Sequence, residues 1–326
     1  MPPVSVAVPA VEVASRSSLR IQSFDPGAMR VALQDGALEH LQLGSGVFQG
    51  IVTHSATNRL RTDWGRYNLP VQARGRLAHD MLTVGVLIGG AGAWRIQGAP
   101  AVSGDMVLLP EGAEVLMNLP AEAEWIAMQV PRERLDAAGI PLSGLRGAAA
   151  WRMSETQGCG GCGCLTDVAP ILAPLEDAPA VAGFQIEMAQ EQLFTTLLCE
   201  WEQRRTRPGR AAEKLGPSDR WRVMRRAEEY IDAHLGIALR IDSLCIAAGT
   251  SITTLERVFR EVFGVTPRRY LTLRRLAGTR NDLLNGDPGE SITEVAMRWG
   301  FFHLGRFAQE YGQLYNERPS QTRSGR

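Results

Sequence analysis

The sequence lacks any apolar run approaching the roughly 20 residues that a membrane-spanning helix requires, so no membrane partner is expected. Its first eighteen residues, MPPVSVAVPAVEVASRSS, have no basic start ahead of an apolar stretch and are interrupted by prolines. No signal peptide is read there, and a cytoplasmic location is expected. There is no glycine-rich phosphate loop and no nucleophile elbow. His40, His54 and His79 stand apart, not in the paired arrangement that suits iron, zinc or copper catalysis in a β-domain. These absences argue against an enzyme, and no cofactor is required by the sequence.

What is present divides into two halves. A chain of 326 residues is long enough for two ordinary domains. Its formal neutrality hides an asymmetry: Pro217 to Arg326 carries 17 basic against 13 acidic residues, leaving 18 against 22 in the first 216. That balance makes the C-terminal third the end expected to face a polyanion.

Through about Pro131 the pattern is strand-like. MLTVGVLIGG, AWRIQG, DMVLLP, AEVLMNL and EWIAMQV are short apolar runs punctuated by Gly, Pro and Asp, which favours a small β-barrel or sandwich. Residues 141–180, rich in Gly, Ala and Pro, read as an irregular connection. GFQIEMAQEQLFTTLLCEWEQRR then restores a helical period with Phe184, Met188, Leu193, Leu197, Leu198 and Trp201 on one broad face. That helix, 184–204, is expected to pack on the β-domain or on a second copy in a homodimer. The polar run around 206–219 reads as a linker, giving domains at 1–205 and 220–326.

The helical part repeats itself. Setting Gly249 on Gly300 aligns Leu244 with Val295 at an offset of 51 residues, and beyond the turn Leu255 falls on Phe307, Phe259 on Tyr311 and Pro267 on Pro319 at 52. Each unit is a short apolar helix, a glycine turn and an amphipathic helix ended by proline, the helix-turn-helix plan. Leu255, Val258, Phe259 and Val262 fall at core spacing in the first unit, Phe307, Tyr311 and Leu314 in the second. The spacing leaves Thr253, Thr254, Glu256, Arg257 and Arg260 outward in one and Gly305, Arg306 and Gln309 outward in the other. Between them, TPRRYLTLRRLAGTRNDLL predicts one long helix opened by Pro267, a strut that holds two reading heads on one face of a duplex.

These residues, DSLCIAAGTSITTLERVFREVFGVTPRRYLTLRRL followed by SITEVAMRWGFFHLGRFAQEYGQLYNERPSQT, resemble the DNA-binding domain of the AraC/XylS transcriptional regulators. The resemblance covers about the last hundred residues. It implies an α+β protein: a C-terminal all-α double helix-turn-helix domain, and an N-terminal cupin-like β-barrel with a helical extension for effector sensing and dimerisation. It implies double-stranded promoter DNA, RNA polymerase and a small-molecule effector as partners, and activation as the mode of control. The family's base-reading positions fall on Thr253, Glu256 and Arg257, and on Leu304, Gly305, Arg306 and Gln309. Arginine pairs with guanine and glutamine with adenine, while Leu304 and Gly305 depart from the commoner polar residues and suit a thymine methyl or DNA shape. His303 stands at an N-cap, to close the helix or touch a phosphate, and Arg268 and Arg269 are phosphate clamps at a helix start.

In the β-domain, Trp64, Met81, Trp94 and Trp125 are candidate effector-pocket liners, or simply core. Cys159, Cys162 and Cys164 in CGGCGC form C-x-x-C-x-C. Three thiolates on a flexible backbone suit a thiophilic metal ion, two suit a redox disulfide, and the alternative is an idle glycine-rich loop. A metal- or thiol-redox-responsive sensor is therefore the second functional reading. Cys199 and Cys245 are expected on buried helix faces.

Overall fold

The computed structural model describes residues 14–139, 150–153, 183–206, 213–215, 219–236 and 239–325. The N-terminal half is antiparallel sheet. In chain order its strands are β1 (Ser15–Ile21), β2 (Ala37–Gln42), β3 (Gly50–Ala56), β4 (Arg61–Tyr67), β5 (Val71–Arg76), β6 (Leu82–Ala91), β7 (Trp94–Ile96), β8 (Ala99–Ala101), β9 (Met106–Leu109), β10 (Glu114–Leu119) and β11 (Ala121–Val130). A short helix α1 (Arg132–Ala137), strand β12 (Ala150–Met153), helix α2 (Gly183–Thr206) and strand β13 (Glu213–Leu215) follow.

Eight strands pair in the order β1-β3-β4-β11-β6-β9-β12-β13 and five in the order β2-β5-β10-β7-β8. The expected barrel is therefore two sheets, because among the described residues each strand pairs only within its own sheet and no ladder joins the two into a closed cylinder. Within the stretch expected as linker, β13 pairs with β12.

Alternation decides what each sheet buries. On the larger sheet Leu87, Val107, Leu109 and Ala127 face the smaller one and share its core with Ala73, Val115 and Leu119. Their neighbours Val84, Val86, Met106, Leu108, Ile126 and Met128 point the other way and are covered by Leu193, Phe194, Leu197 and Trp201 of α2. Burial on both faces explains why β6 reads as a nearly continuous apolar run. The helix does not bury its whole expected face: Phe184 and Met188 are 63% and 66% exposed, and Cys199 is exposed.

The C-terminal half is helical: α3 (Asp219–Ala233), α4 (Ile241–Ala248), α5 (Ile252–Phe263), α6 (Pro267–Asn285), α7 (Ile292–Arg298), α8 (Leu304–Tyr315) and α9 (Pro319–Ser324). The strut α6 starts with Pro267 in its first turn and with the Thr266 side chain accepting from the Arg269 N–H, a paired start signal. A continuous cluster of buried side chains runs from the inter-sheet core into this bundle, so the halves pack against each other.

Candidate nucleic-acid interface

The two helix-turn-helix units are built alike down to single backbone bonds. In the first, Gly249 is left-handed at φ 65° after α4, and the Thr250 N–H reaches back to the Cys245 carbonyl at 3.0 Å. In the second, Gly300 has φ 80° and the Phe301 N–H bonds the Ala296 carbonyl at 3.0 Å. Both are Schellman-type closures, which need a residue free to take positive φ. After α5 and α8 the chain turns through left-handed Gly264 and Asn316. The core positions read from the repeat, Leu244, Leu255, Phe259, Phe307 and Tyr311, are all buried.

Among the outward residues, Thr253, Arg257, His303, Leu304, Gly305, Arg306 and Gln309 are exposed, while Thr254 and Glu256 are half-buried. The Thr254 N–H and hydroxyl engage the Ser251 hydroxyl, which caps α5. His303 occupies the N-cap of α8 without a side-chain cap bond, so of its two expected roles capping falls away. Arg257 pairs with Glu261 at 3.3 Å and Arg306 with Glu310 at 2.9 Å, each one helical turn on. Such exposed pairs contribute about 0.3–0.5 kcal/mol, less than the ~1–3 kcal/mol of a bidentate arginine–guanine contact. Both guanidiniums can therefore exchange partners at little cost.

One exposed position escaped the sequence reading. Ile252, 50% exposed, lies one residue into α5, as the 41% exposed Leu304 does in α8. The repeat offset of 52 that aligns Leu255 with Phe307 also aligns this pair, and was the signal that could have found it.

The strut joins both units. Tyr270 of α6 stacks on Phe263 at 4.3 Å and meets Phe259 edge-on. At the other end Gly278 lets the Trp299 ring approach so closely that an added Cβ would sit 2.3 Å from it, and the indole N–H donates to Asp282 at 2.7 Å. Arg280 is fully buried, donating to the Tyr311 hydroxyl, Glu317 and Thr322. Over 19 residues α6 is about 28 Å long at 1.5 Å per residue, approaching the ~34 Å between successive major-groove faces. Arg268 is exposed at its start and Arg269 half-buried. Lys214 is the chain's sole lysine, so the permanent positive charge these helices offer to phosphate is carried by guanidiniums, whose planar fork fits phosphate oxygens.

The β-domain grips both units at the same repeat position. The Asn118 side-chain amide of β10 donates to the Val262 carbonyl of α5, and the Gln42 amide at the end of β2 donates to the Leu314 carbonyl of α8 at 3.1 Å. Val262 and Leu314 are equivalent at the offset of 52, and both strands belong to the smaller sheet. Between them, Gln72 of β5 donates to Glu228 of α3 at 3.1 Å and lies 3.0 Å from the Tyr270 hydroxyl. Arg74 and Arg274 both pair with Asp232, at 2.8 and 2.7 Å. Burial pushes the Glu228 carboxyl up, with Arg74 opposing.

A cavity of about 60 Å³ lies between the two sheets. Of the expected liners only Trp125 is on its wall. Trp64, in register with Ile126, is on the opposite face of its strand and donates to Glu124 at 3.0 Å. Met81 accepts from Arg61, and Trp94 is buried in the core off the cavity wall. Cys159, Cys162 and Cys164 lie outside the described residues. Among the described residues no cluster of three His, Cys, Asp or Glu side chains could hold a metal ion, and no helix is long and apolar enough to cross a membrane.

Comparison with known proteins bears on the same segment. A family model described as a helix-turn-helix domain matches residues 244–325. The probable thc operon regulatory protein of Rhodococcus erythropolis is 40% identical over 100 residues, covering 30% of each chain. The XylDLEGF operon transcriptional activator of Pseudomonas putida is 36% identical over 100 residues, again 30% of each chain. The match thus spans under a third of these relatives' length. A solved structure of a probable AraC family transcriptional regulator from Rhodopseudomonas palustris is 30% identical, covering 32% of this chain and 95% of that one with a TM-score of 0.30. Residues 244–325 at the C-terminus are a helix-turn-helix domain, similar over about 100 residues to these operon regulators.

Proposed function

We propose that the chain is a sequence-specific, double-stranded-DNA-binding transcription regulator that activates promoters by recruiting RNA polymerase under the control of a small effector held by the β-domain. The observation that carries this reading is the pair of equivalent helix-turn-helix units joined by the single helix α6, about 28 Å long over its 19 residues. Thr253, Glu256, Arg257, Leu304, Gly305, Arg306 and Gln309 read bases, with Ile252 added by its equivalence to Leu304. Arg268, Arg269 and His303 contact phosphate. The exposed Phe184 and Met188 at the start of α2 are the surface for a homodimer. Catalysis has no part in this reading, which places the protein in the cytoplasm.

The test begins by selecting an operator from random duplexes with the full chain. The double variant Arg257→Ala, Arg306→Ala is expected to lose sequence-specific binding to it in a gel shift while keeping the fold by circular dichroism. Unchanged specific binding by that variant would sink the assignment of readers. The sensor reading of CGGCGC has its own measurement: a Cys159, Cys162, Cys164→Ser triple variant is expected to bind and respond as the parent does.

A further inference from the structure

The repeat reaches back beyond the two helix-turn-helix units. At an offset of 49 residues Trp221 of α3 falls on Tyr270 of α6, Met224 on Leu273, Arg226 on Arg275 and Ala227 on Leu276. Met224, Ala227, Leu273 and Leu276 are all fully buried, so α3 stands to the first unit as the strut stands to the second. The arginine pair keeps the correspondence in space. A Cβ added at Gly249, in the turn of the first unit, would sit 3.3 Å from Nη1 of Arg226, and one added at Gly300, in the turn of the second, 3.1 Å from Cζ of Arg275. Each guanidinium thus lies against the turn that leads into a reading helix.

The two arginines differ in what else they touch. Arg275 is half-buried and donates from Nε to the Leu235 carbonyl at 3.1 Å, which ties the strut to the chain that follows α3. Arg226 is exposed, and its side chain makes no hydrogen bond or ion pair among the described residues. In the same head Arg220 and Arg257 share Glu261, and Arg260 pairs with Glu256. Nor is Arg226 needed by either packed face of its own helix. Met224, Ala227 and Ile231 enter the core, and Trp221, Arg225, Glu228 and Asp232 line a cleft against the smaller sheet.

We propose that Arg226 contacts a DNA phosphate, which makes α3 part of the first head's DNA surface, while its counterpart Arg275 serves the fold. A reading helix enters the groove with its N-terminal residues leading, and the helix before it crosses the backbone. The turn between them therefore rides on the strand that borders the groove. Gly249 lies two residues before Ser251, the cap of α5. A guanidinium lying there without an acid partner offers its fork to phosphate oxygens and releases a counterion on contact. The proposal rests on the DNA-binding reading above and adds to it a contact that fixes register without reading a base.

Gel shifts of the full chain test it, on random-sequence duplex and on the selected operator, between about 50 and 200 mM salt. Each phosphate contact contributes about 0.9 to the slope of log affinity against log salt. Arg226→Ala should flatten the slope by about that amount on both duplexes, so that the parent's advantage shrinks about threefold across the range. The loss should be uniform over single-base operator variants, with the thermal midpoint unchanged. Arg225→Ala removes the same charge one residue away, on the cleft face, and should leave the slope as in the parent.

An unchanged slope for Arg226→Ala, an equal change for Arg225→Ala, or a loss confined to one base pair overturns the phosphate contact. A lowered thermal midpoint with an unchanged slope also overturns it, and assigns Arg226 to the C-terminal end of α4, where a cation is favoured by the helix dipole. A parent that binds random duplex but selects no operator overturns the regulatory reading and leaves the Arg226 comparison standing. One that binds no duplex overturns both.

Discussion

The two reading heads share one backbone plan but are secured differently. The first meets the strut through aromatic rings, Phe263 stacked on Tyr270 and Phe259 edge-on to it. The second is locked by a buried charge, Arg280, and by Trp299 seated on Gly278. Their reading faces differ in the opposite sense. α5 begins with a side-chain cap from Ser251 and carries Thr253, Glu256 and Arg257, whereas α8 begins on an uncapped His303 and presents Leu304, Gly305 and Arg306. Both tips open on an exposed aliphatic residue, Ile252 or Leu304, but Thr253 stands in the first where the second has Gly305, and the second is the one anchored at its base by a buried charge.

Four perturbations probe that contrast. The largest is Arg280→Ala, which leaves Glu317 and Tyr311 without their buried partner and should cost about 3–5 kcal/mol in denaturant unfolding. Amide hydrogen exchange should show α8 opening before α5; equal loss in both helices would mean that the heads melt as one unit and are not separately anchored. Next, Arg257→Ala should weaken preference for one base pair by about 1–3 kcal/mol, and Leu304→Ala by less, when binding is measured across single-base operator variants. A larger loss for Leu304→Ala would invert the division of labour. Third, Ser251→Ala should cost about 1 kcal/mol, whereas His303→Ser should stabilise by about 0.5 kcal/mol because it adds the missing cap. Thermal midpoints moving in the same direction for both would show that α8 is closed by other means.

The smallest effect is one of pH. α7 opens with a box in which Glu294 accepts from the Ser291 N–H at 2.7 Å and its own N–H reaches the Ser291 hydroxyl. These bonds hold the Glu294 carboxyl below the usual range. A carboxyl depressed in the folded state stabilises above its unfolded value, and that contribution is lost as pH falls through the depressed one. Acidification should therefore fray the start of α7, while α4, whose N-cap Arg240 makes no side-chain cap bond, should show no matching step in backbone chemical shifts. Loss at both helices together would assign the step to something other than the box.

Much of the helical half was legible because its signals are local: glycines where φ turns positive, prolines at first turns, and a repeat that carries core positions from one unit to the other. The β-domain was legible only in part. Strand-like runs fit a barrel or a sandwich equally well, since closure depends on which edges pair, and no residue announces that. Which of the candidate residues line the cavity and which are core was illegible for a related reason. In a strand a one-residue step swaps faces, so Trp64 and Trp125, both strand tryptophans, end on opposite sides of one sheet. Nor did Gln42 and Asn118 stand out, because an amide in a strand carries no mark that its partner is a helix carbonyl more than a hundred residues away.

That pair of amides has a consequence for the DNA. Held by one sheet at matching points, the two heads have a fixed pitch between them. Each base pair inserted between their target sequences shifts the second by ~3.4 Å and turns it by about 35° around the duplex. The sheet would then act as a gauge of spacer length: an operator one base pair too long would be read by one head or the other, until the amides release and the gauge becomes adjustable.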